Sequence, residues 1–176
     1  MDPVSGRPFD GPKAEAFAGN LLAALNHGAL CLMTSIGHRT GLFDAMRDQP
    51  PATSEEIARA AGLNERYVRE WLGAMTTAGV TQVDAESRHF HLPAEHAAST
   101  TRAAGADNIA VFAQYVALMG QVEDEIIECF RNGGGVPYER FPRFHAVMAE
   151  DSGQSVLSSL ESHILPLVPE IGRAHV

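Results

Sequence analysis

From Ala16 to His38 the chain carries no charged side chain, and this stretch constrains the fold more than any other. Apolar residues recur at helical spacing (Phe17, Leu21, Leu25, Ala29, Leu32, Ile36), while Leu22, Leu30, Cys31 and Met33 add apolar surface on other faces. The pattern predicts a helix over 14–39, interrupted near Asn26-His27-Gly28. A helix apolar on most sides must be covered on most sides. The stretch is long enough to span a bilayer, but Asn20, Asn26, His27, Thr34 and Ser35 would then need partners in hydrocarbon, which argues against a membrane. In a chain of 176 residues a second subunit is the natural cover, so the segment reads as the dimerisation helix of a homodimer, preceded by a disordered stretch over 1–13.

The next signals are local and dense. Gly41 to Met46 reads as a short helix. Thr53 or Ser54 caps a helix through Ala61, with Glu55 and Glu56 in the first turn, where the helix dipole favours acids, and Gly62 stops it. Asn64 caps a second helix, Glu65 to Ala78, whose Val68, Leu72 and Met75 share one side with Trp71 adjoining, and Gly79 stops it in turn. Two short helices joined by Gly62-Leu63 make a helix-turn-helix. Val80 to Val83, the polar tip 84–87 and Arg88 to Leu92 then alternate as a β-hairpin of wing size. The expected class is mainly α: a winged helix-turn-helix with a small β-hairpin wing, flanked by long dimerisation helices. The dimerisation helix and winged helix together occupy 14–100, and a helical linker or lid occupies 101–169. Within that lid, one helix from Asp107 to Phe130 carries the stripe Phe112, Tyr115, Val116, Met119, Val122, Ile126 and Phe130, Asn132-Gly133-Gly134-Gly135 ends it, and Phe141–Glu150 and Ser152–Leu167 follow.

Charge narrows the function. Thirteen Lys and Arg against twenty-two Asp and Glu give −9, with 8 against 12 over 1–100 and 5 against 10 over 101–176, so no basic half exists to coat a polyanion. Arg66 and Arg69 on the second helix of the motif are cancelled by Glu65 and Glu70, and the wing tip offers Asp84 and Glu86, which makes DNA a poor partner. Cys31 and Cys129 lack metal or redox spacing and read as buried free thiols of a cytoplasmic protein. His89, His91 and His96 find no Cys or carboxylate at ligand spacing, so they read as exposed wing histidines and no metal is expected. The glycine run 133–135 follows a helix rather than a strand and lacks a Lys-Ser/Thr pair, so it is a helix stop rather than a phosphate loop. No nucleophile-elbow, kinase or zincin pattern occurs, and no catalytic residue is assigned.

The order of parts is itself a signature. An apolar helix, then a winged helix containing Ile57-Ala58-Arg59-Ala60-Ala61-Gly62-Leu63 and Trp71-Leu72-Gly73-Ala74-Met75, then the segment from Phe141 to Ser152, resembles the N-terminal half of bacterial class I S-adenosylmethionine-dependent methyltransferases with a winged-helix domain. The resemblance covers roughly 14–169. It implies that Phe144 and Met148 line a small-molecule substrate pocket and that Ser152 lies near the cofactor. Read from the residues alone, Phe144 and Met148, four apart, are equally a core pair. The sequence departs from the family where an apolar strand should run into a Gly-x-Gly turn. S-adenosylmethionine is therefore expected for the complete family protein, and neither cofactor binding nor catalysis for this chain alone.

Residues 170–176 are read as a non-native tail. GAG ATC GGA AGA GCA CAC GTC TGA encodes Glu170 to Val176 and a stop, and from its second letter that string matches a common sequencing adapter. Two readings from other classes stay open at this point: a winged-helix DNA-binding transcription regulator, and a stand-alone ligand-binding dimer.

Overall fold

The structure, a computed structural model, describes residues 6 and 8–167. The expected tail over 170–176 lies outside the described residues, as does most of the segment before Pro8. Helix α1 (Gly11–Thr40) begins where the Asp10 carboxylate accepts from the Lys13 amide at 3.1 Å, and it ends at Gly41, in the left-handed region at φ 74°. It starts earlier than expected and runs unbroken through Asn26-His27-Gly28. Neither Asn26 nor His27 has to be buried, because residues 15–27 are all exposed. Their side chains can meet water while the backbone ladder continues.

Helices α2 (Leu42–Arg47), α3 (Ser54–Ala61) and α4 (Glu65–Thr77) follow the expected order. Thr53 and Glu56 close a reciprocal capping box at the start of α3, with the Thr53 amide donating to the Glu56 carboxylate at 2.9 Å. Gly62, at φ 67°, turns the chain toward α4, where the Arg66 amide donates to Asn64 Oδ1. The wing is shorter than the alternation suggested: β1 (Gln82–Val83) pairs antiparallel with β2 (Phe90–His91), and Phe90 exchanges two backbone hydrogen bonds with Ala52. Asp84 closes the tip internally, accepting from the amide and hydroxyl of Ser87.

One core joins these parts. Leu42, Phe43, Met46, Ile57, Val68, Trp71, Leu72 and Met75 are buried together, with Leu92 and Ala97 in the same cluster. Trp71 is the hinge between α4 and α1. Its ring meets Phe43 edge to face at 5.2 Å, and its Nε1 donates to the Met33 carbonyl at 2.8 Å. The ring lies directly on Gly37, where a Cβ would overlap Trp71 Cζ2 and come within 2.8 Å of Phe43 Cε2.

Beyond α5 (Ala94–Thr100) the chain departs from the expected single helix. Two short 3₁₀ turns, Arg102–Asp107 and Ile109–Phe112, lead into α6 (Ala113–Gly120), and a break at Gln121-Val122 separates it from α7 (Glu123–Asn132). Val122 is buried, so the chain turns inward there. The stripe read from the sequence is mostly the outer face, for Phe112, Val116, Met119 and Phe130 are exposed while Ala113, Gln114 and Leu118 pack inward. Conversely, the two helices expected over 141–167 are one, α8 (Phe144–Ser159), continued by a π turn, Leu160–Ile164, and a 3₁₀ turn, Leu165–Leu167.

Other expectations shift in detail. Cys31 and Cys129 are half-buried rather than buried, and both are free. The three histidines are half-buried too, and His96 lies on α5 rather than the wing, donating from Nδ1 to the Val80 carbonyl.

The Trp71 seat gives a direct prediction. Gly37→Ala forces the indole or the helix to move and lowers unfolding stability by about 1–3 kcal/mol, the usual cost of overpacking. Urea unfolding followed by Trp71 fluorescence measures it, and wild-type stability would show that the ring does not rest on Gly37.

Candidate functional site

The expected pocket residues fall on α8. Phe144, Met148 and Ser152 are spaced by four and share one face. Phe144 sits in an aromatic nest, its ring 5.9 Å from Tyr115, 5.3 Å from Tyr138 and 6.3 Å from Phe141, with His145 on Tyr138 at 4.8 Å. Met148 is 43% exposed and Ser152 is exposed. The structure therefore places the three on a common surface, where only Phe144 is half-buried. A cavity of about 300 Å³ beside α8 is lined instead by Arg102, Asn108, Phe112, Glu150, Asp151 and Leu157, among others, and not by Phe144, Met148 or Ser152. Gly153, which also lines it, is nine residues from Phe144, half a rotation around the helix.

What fixes α8 is a polar cluster that sequence reading missed. His38 is 1% exposed at the end of α1, and its Nε2 lies 2.8 Å from Glu150 Oε1. An ionised carboxylate only accepts, so the imidazole donates there. Its Nδ1 is buried without a partner among the described residues. Gln114 of α6 donates from Nε2 to Glu150 Oε2 at 2.9 Å and accepts at Oε1 from Arg143 Nη2 at 2.7 Å. Arg102 closes the junction: its backbone amide donates to Asp44 at 2.7 Å, its Nη2 donates to the His38 carbonyl at 2.8 Å, and its Nε lies 3.7 Å from Glu150. Next to Gln114, the Tyr115 hydroxyl donates to Asp151 at 3.1 Å.

Electrostatics follow from these contacts. Burial alone would raise the Glu150 carboxyl, but hydrogen bonds from Gln114 and His38, with the nearby charge of Arg102, outweigh it and hold the group below the usual carboxylate range. Burial, reinforced by the Asp151 carboxylate, raises the Tyr115 phenol and keeps it protonated as a donor. Among the described residues no group of three His, Cys, Asp or Glu side chains is placed to hold a metal ion. Helix α1 is long and apolar enough to cross a membrane by length and composition, and none of its most apolar window is fully buried.

Comparison with known proteins agrees with this architecture. Residues 28–102 match the Rv2258c-like winged HTH domain. A search of curated proteins finds no match. Among solved structures, the chain is similar to the mitomycin 7-O-methyltransferase MmcR (18% identity, TM-score 0.61, covering 85% of this chain and 47% of that one). It is similar also to human N-acetylserotonin methyltransferase in complex with SAM (14%, 0.58, 85% and 44%) and to the pyocyanin biosynthetic protein PhzM (16%, 0.57, 87% and 48%). The chain spans about half the length of these structures. Residues 28–102 thus match a winged helix-turn-helix domain of the Rv2258c-like kind, and the described chain has the fold of the corresponding part of these structures.

The depressed Glu150 group links the cluster to pH. A carboxyl whose folded value lies below its unfolded value contributes stability above the unfolded value and loses it as pH falls through the folded one. The anchoring of α8 by Glu150 should weaken as pH drops below 4.5, as His38, Gln114 and Arg102 lose an ionised acceptor. Amide exchange in α8, compared between the wild type and Glu150→Gln from about pH 6 to about pH 3, measures this. The wild type should approach the variant as acid is added, and parallel profiles would remove Glu150 from the explanation.

Proposed function

We propose that this chain acts as the N-terminal part of an S-adenosylmethionine-dependent methyltransferase, pairing two copies through α1 and covering a small-molecule site with the Phe144 and Met148 face of α8. The observation that carries the reading is the agreement in fold with MmcR over 85% of the chain. The exposed apolar side chains of α1 support the pairing: Phe17, Leu21, Leu22, Leu25, Leu32 and Ile36 are each between 44% and 67% exposed. So many large apolar groups on one element mark an interaction surface. The aromatic nest and the flexible Met148 give α8 an adaptable apolar lining suited to a planar or aliphatic substrate.

S-adenosylmethionine supplies the transferred methyl group when bound in proteins of this fold. Among the described residues the sole sheet is the two-stranded hairpin, so they offer no strand running into a Gly-rich turn, and Ser152 is a single exposed hydroxyl. These residues do not fit the cofactor by themselves. In the proposed reading Ser152 borders it only within a complete family protein, and this chain alone performs no methyl transfer. A cytoplasmic setting is part of the same reading, with Cys31 and Cys129 as free thiols.

DNA recognition by the winged helix is the less supported alternative. At the start of α4, Glu65 accepts from Ser54 at 2.8 Å and lies 3.6 Å from Arg69, so the basic group that would face a phosphate has an acid beside it.

Sedimentation velocity on the 176-residue chain tests the pairing. We expect a two-chain species that Leu21→Glu with Leu25→Glu converts to single chains without loss of helical circular dichroism. A wild-type protein that sediments as a monomer at about 100 μM, far above typical homodimer dissociation constants, would overturn that part. Calorimetric titration with S-adenosylmethionine should give no binding heat, and binding at micromolar strength would overturn the division of labour proposed here.

A further inference from the structure

We infer that Gln114 is the positioning residue that sets the rotation of α8 and hence which residues lie on the Phe144 and Met148 face. The inference rests on the proposed role of that face for its functional meaning, but its test does not depend on any ligand.

The argument is one of polarity matching. Arg143 precedes the first residue of α8 with a left-handed backbone at φ 69°, and Glu150 lies two turns into the helix, yet both side chains reach Gln114. One offers only donors and the other, ionised, only acceptors. Between them the Gln114 side chain is 1% exposed, with its amide nitrogen on Glu150 and its oxygen on Arg143. A carboxamide meets both demands in one orientation only, and because Gln114 is itself buried its nitrogen and oxygen depend on these two partners. Tyr115 then binds Asp151, so consecutive residues of α6 engage consecutive residues of α8. His38 supplies a third direction to the same Glu150 carboxylate from α1. Turning α8 by one residue, about 100°, would carry Glu150 away from both Gln114 and His38. The hydrophobic contacts of α8 cannot enforce this alone, because Val147 is its single fully buried apolar side chain among those described.

The same logic supplies a rescue. In Gln114→Glu a carboxylate faces Glu150, while Arg143 keeps its acceptor. In the double variant Gln114→Glu with Glu150→Gln the amide has moved to the other partner. The carboxamide introduced on α8 can donate from its nitrogen to the carboxylate introduced on α6, its oxygen can accept from His38, and Arg143 remains paired.

The experiment is amide exchange over 144–159 together with the ¹³C-methyl resonance of Met148, on the 176-residue chain. Gln114→Glu should speed exchange in α8 by about tenfold or more, the equivalent of one charge-assisted hydrogen bond. It should also displace the Met148 resonance while the amides of α3 and α4 keep wild-type protection. The double variant should return exchange to within about twofold and restore the resonance, as coupled residues do in a mutant cycle. If Gln114→Glu leaves α8 and Met148 unchanged, or if the double variant is as disturbed as the single one, the assignment is wrong. Should the single variant fail to fold, the double variant decides: a folded protein with the native Met148 resonance supports the assignment, and an unfolded one overturns it. Failure of Phe144 and Met148 to contact any methyl acceptor would leave these outcomes as they stand and count only against the proposed pocket.

Discussion

The fold depends on the contact between Trp71 and α1. An indole seated on a glycine brings two helices closer than any side chain at that position would allow, and its N–H to the Met33 carbonyl fixes where along α1 the contact occurs. Phe43 completes the seat from α2. The winged helix is therefore not an independent bead on a long helix. Its core begins inside α1, and α1 in turn delivers His38 to the far side, where α8 is held.

That sequence of contacts explains why the polar cluster lies where it does. Arg102, the last residue of the matched winged-helix domain, reaches Asp44, the His38 carbonyl and Glu150 at once. The end of α1, the start of α2 and the distant α8 thus share one guanidinium. An arrangement of this kind costs desolvation, so it is tolerated only where nearly every donor and acceptor is matched. The Nδ1 of His38, without a partner among the described residues, is the exception within it.

Much of the winged helix was legible from the residues because its signals act over three or four positions. Thr53 with Glu56, Gly62 and Asn64 each settle a helix end locally, and the spacing of Val68, Leu72 and Met75 names the buried side of α4. The helices beyond residue 101 were less legible. Periodicity shows that one face of 107–130 is apolar but not whether that face points in, and here Ala113, Gln114 and Leu118 pack inward while Phe112, Val116 and Met119 look out. The Phe144 and Met148 spacing was visible, yet the cavity beside α8 forms on its other side. The Glu150 cluster had no local mark, since its partners His38 and Gln114 are 112 and 36 positions away. The one clue was a histidine at the end of the uncharged stretch 16–38.

The unbroken course of α1 has a mechanical side. From the Trp71 seat at Gly37 back to Glu15 is about 33 Å at 1.5 Å per residue, and the outer part, residues 15–27, is exposed throughout. Such a helix is a lever whose fulcrum is an aromatic ring. A tilt of about 5° at the fulcrum carries the tip through about 3 Å over that length. Whatever grips the tip therefore also restrains the fulcrum, and with it the short arm on the other side, where His38 holds Glu150.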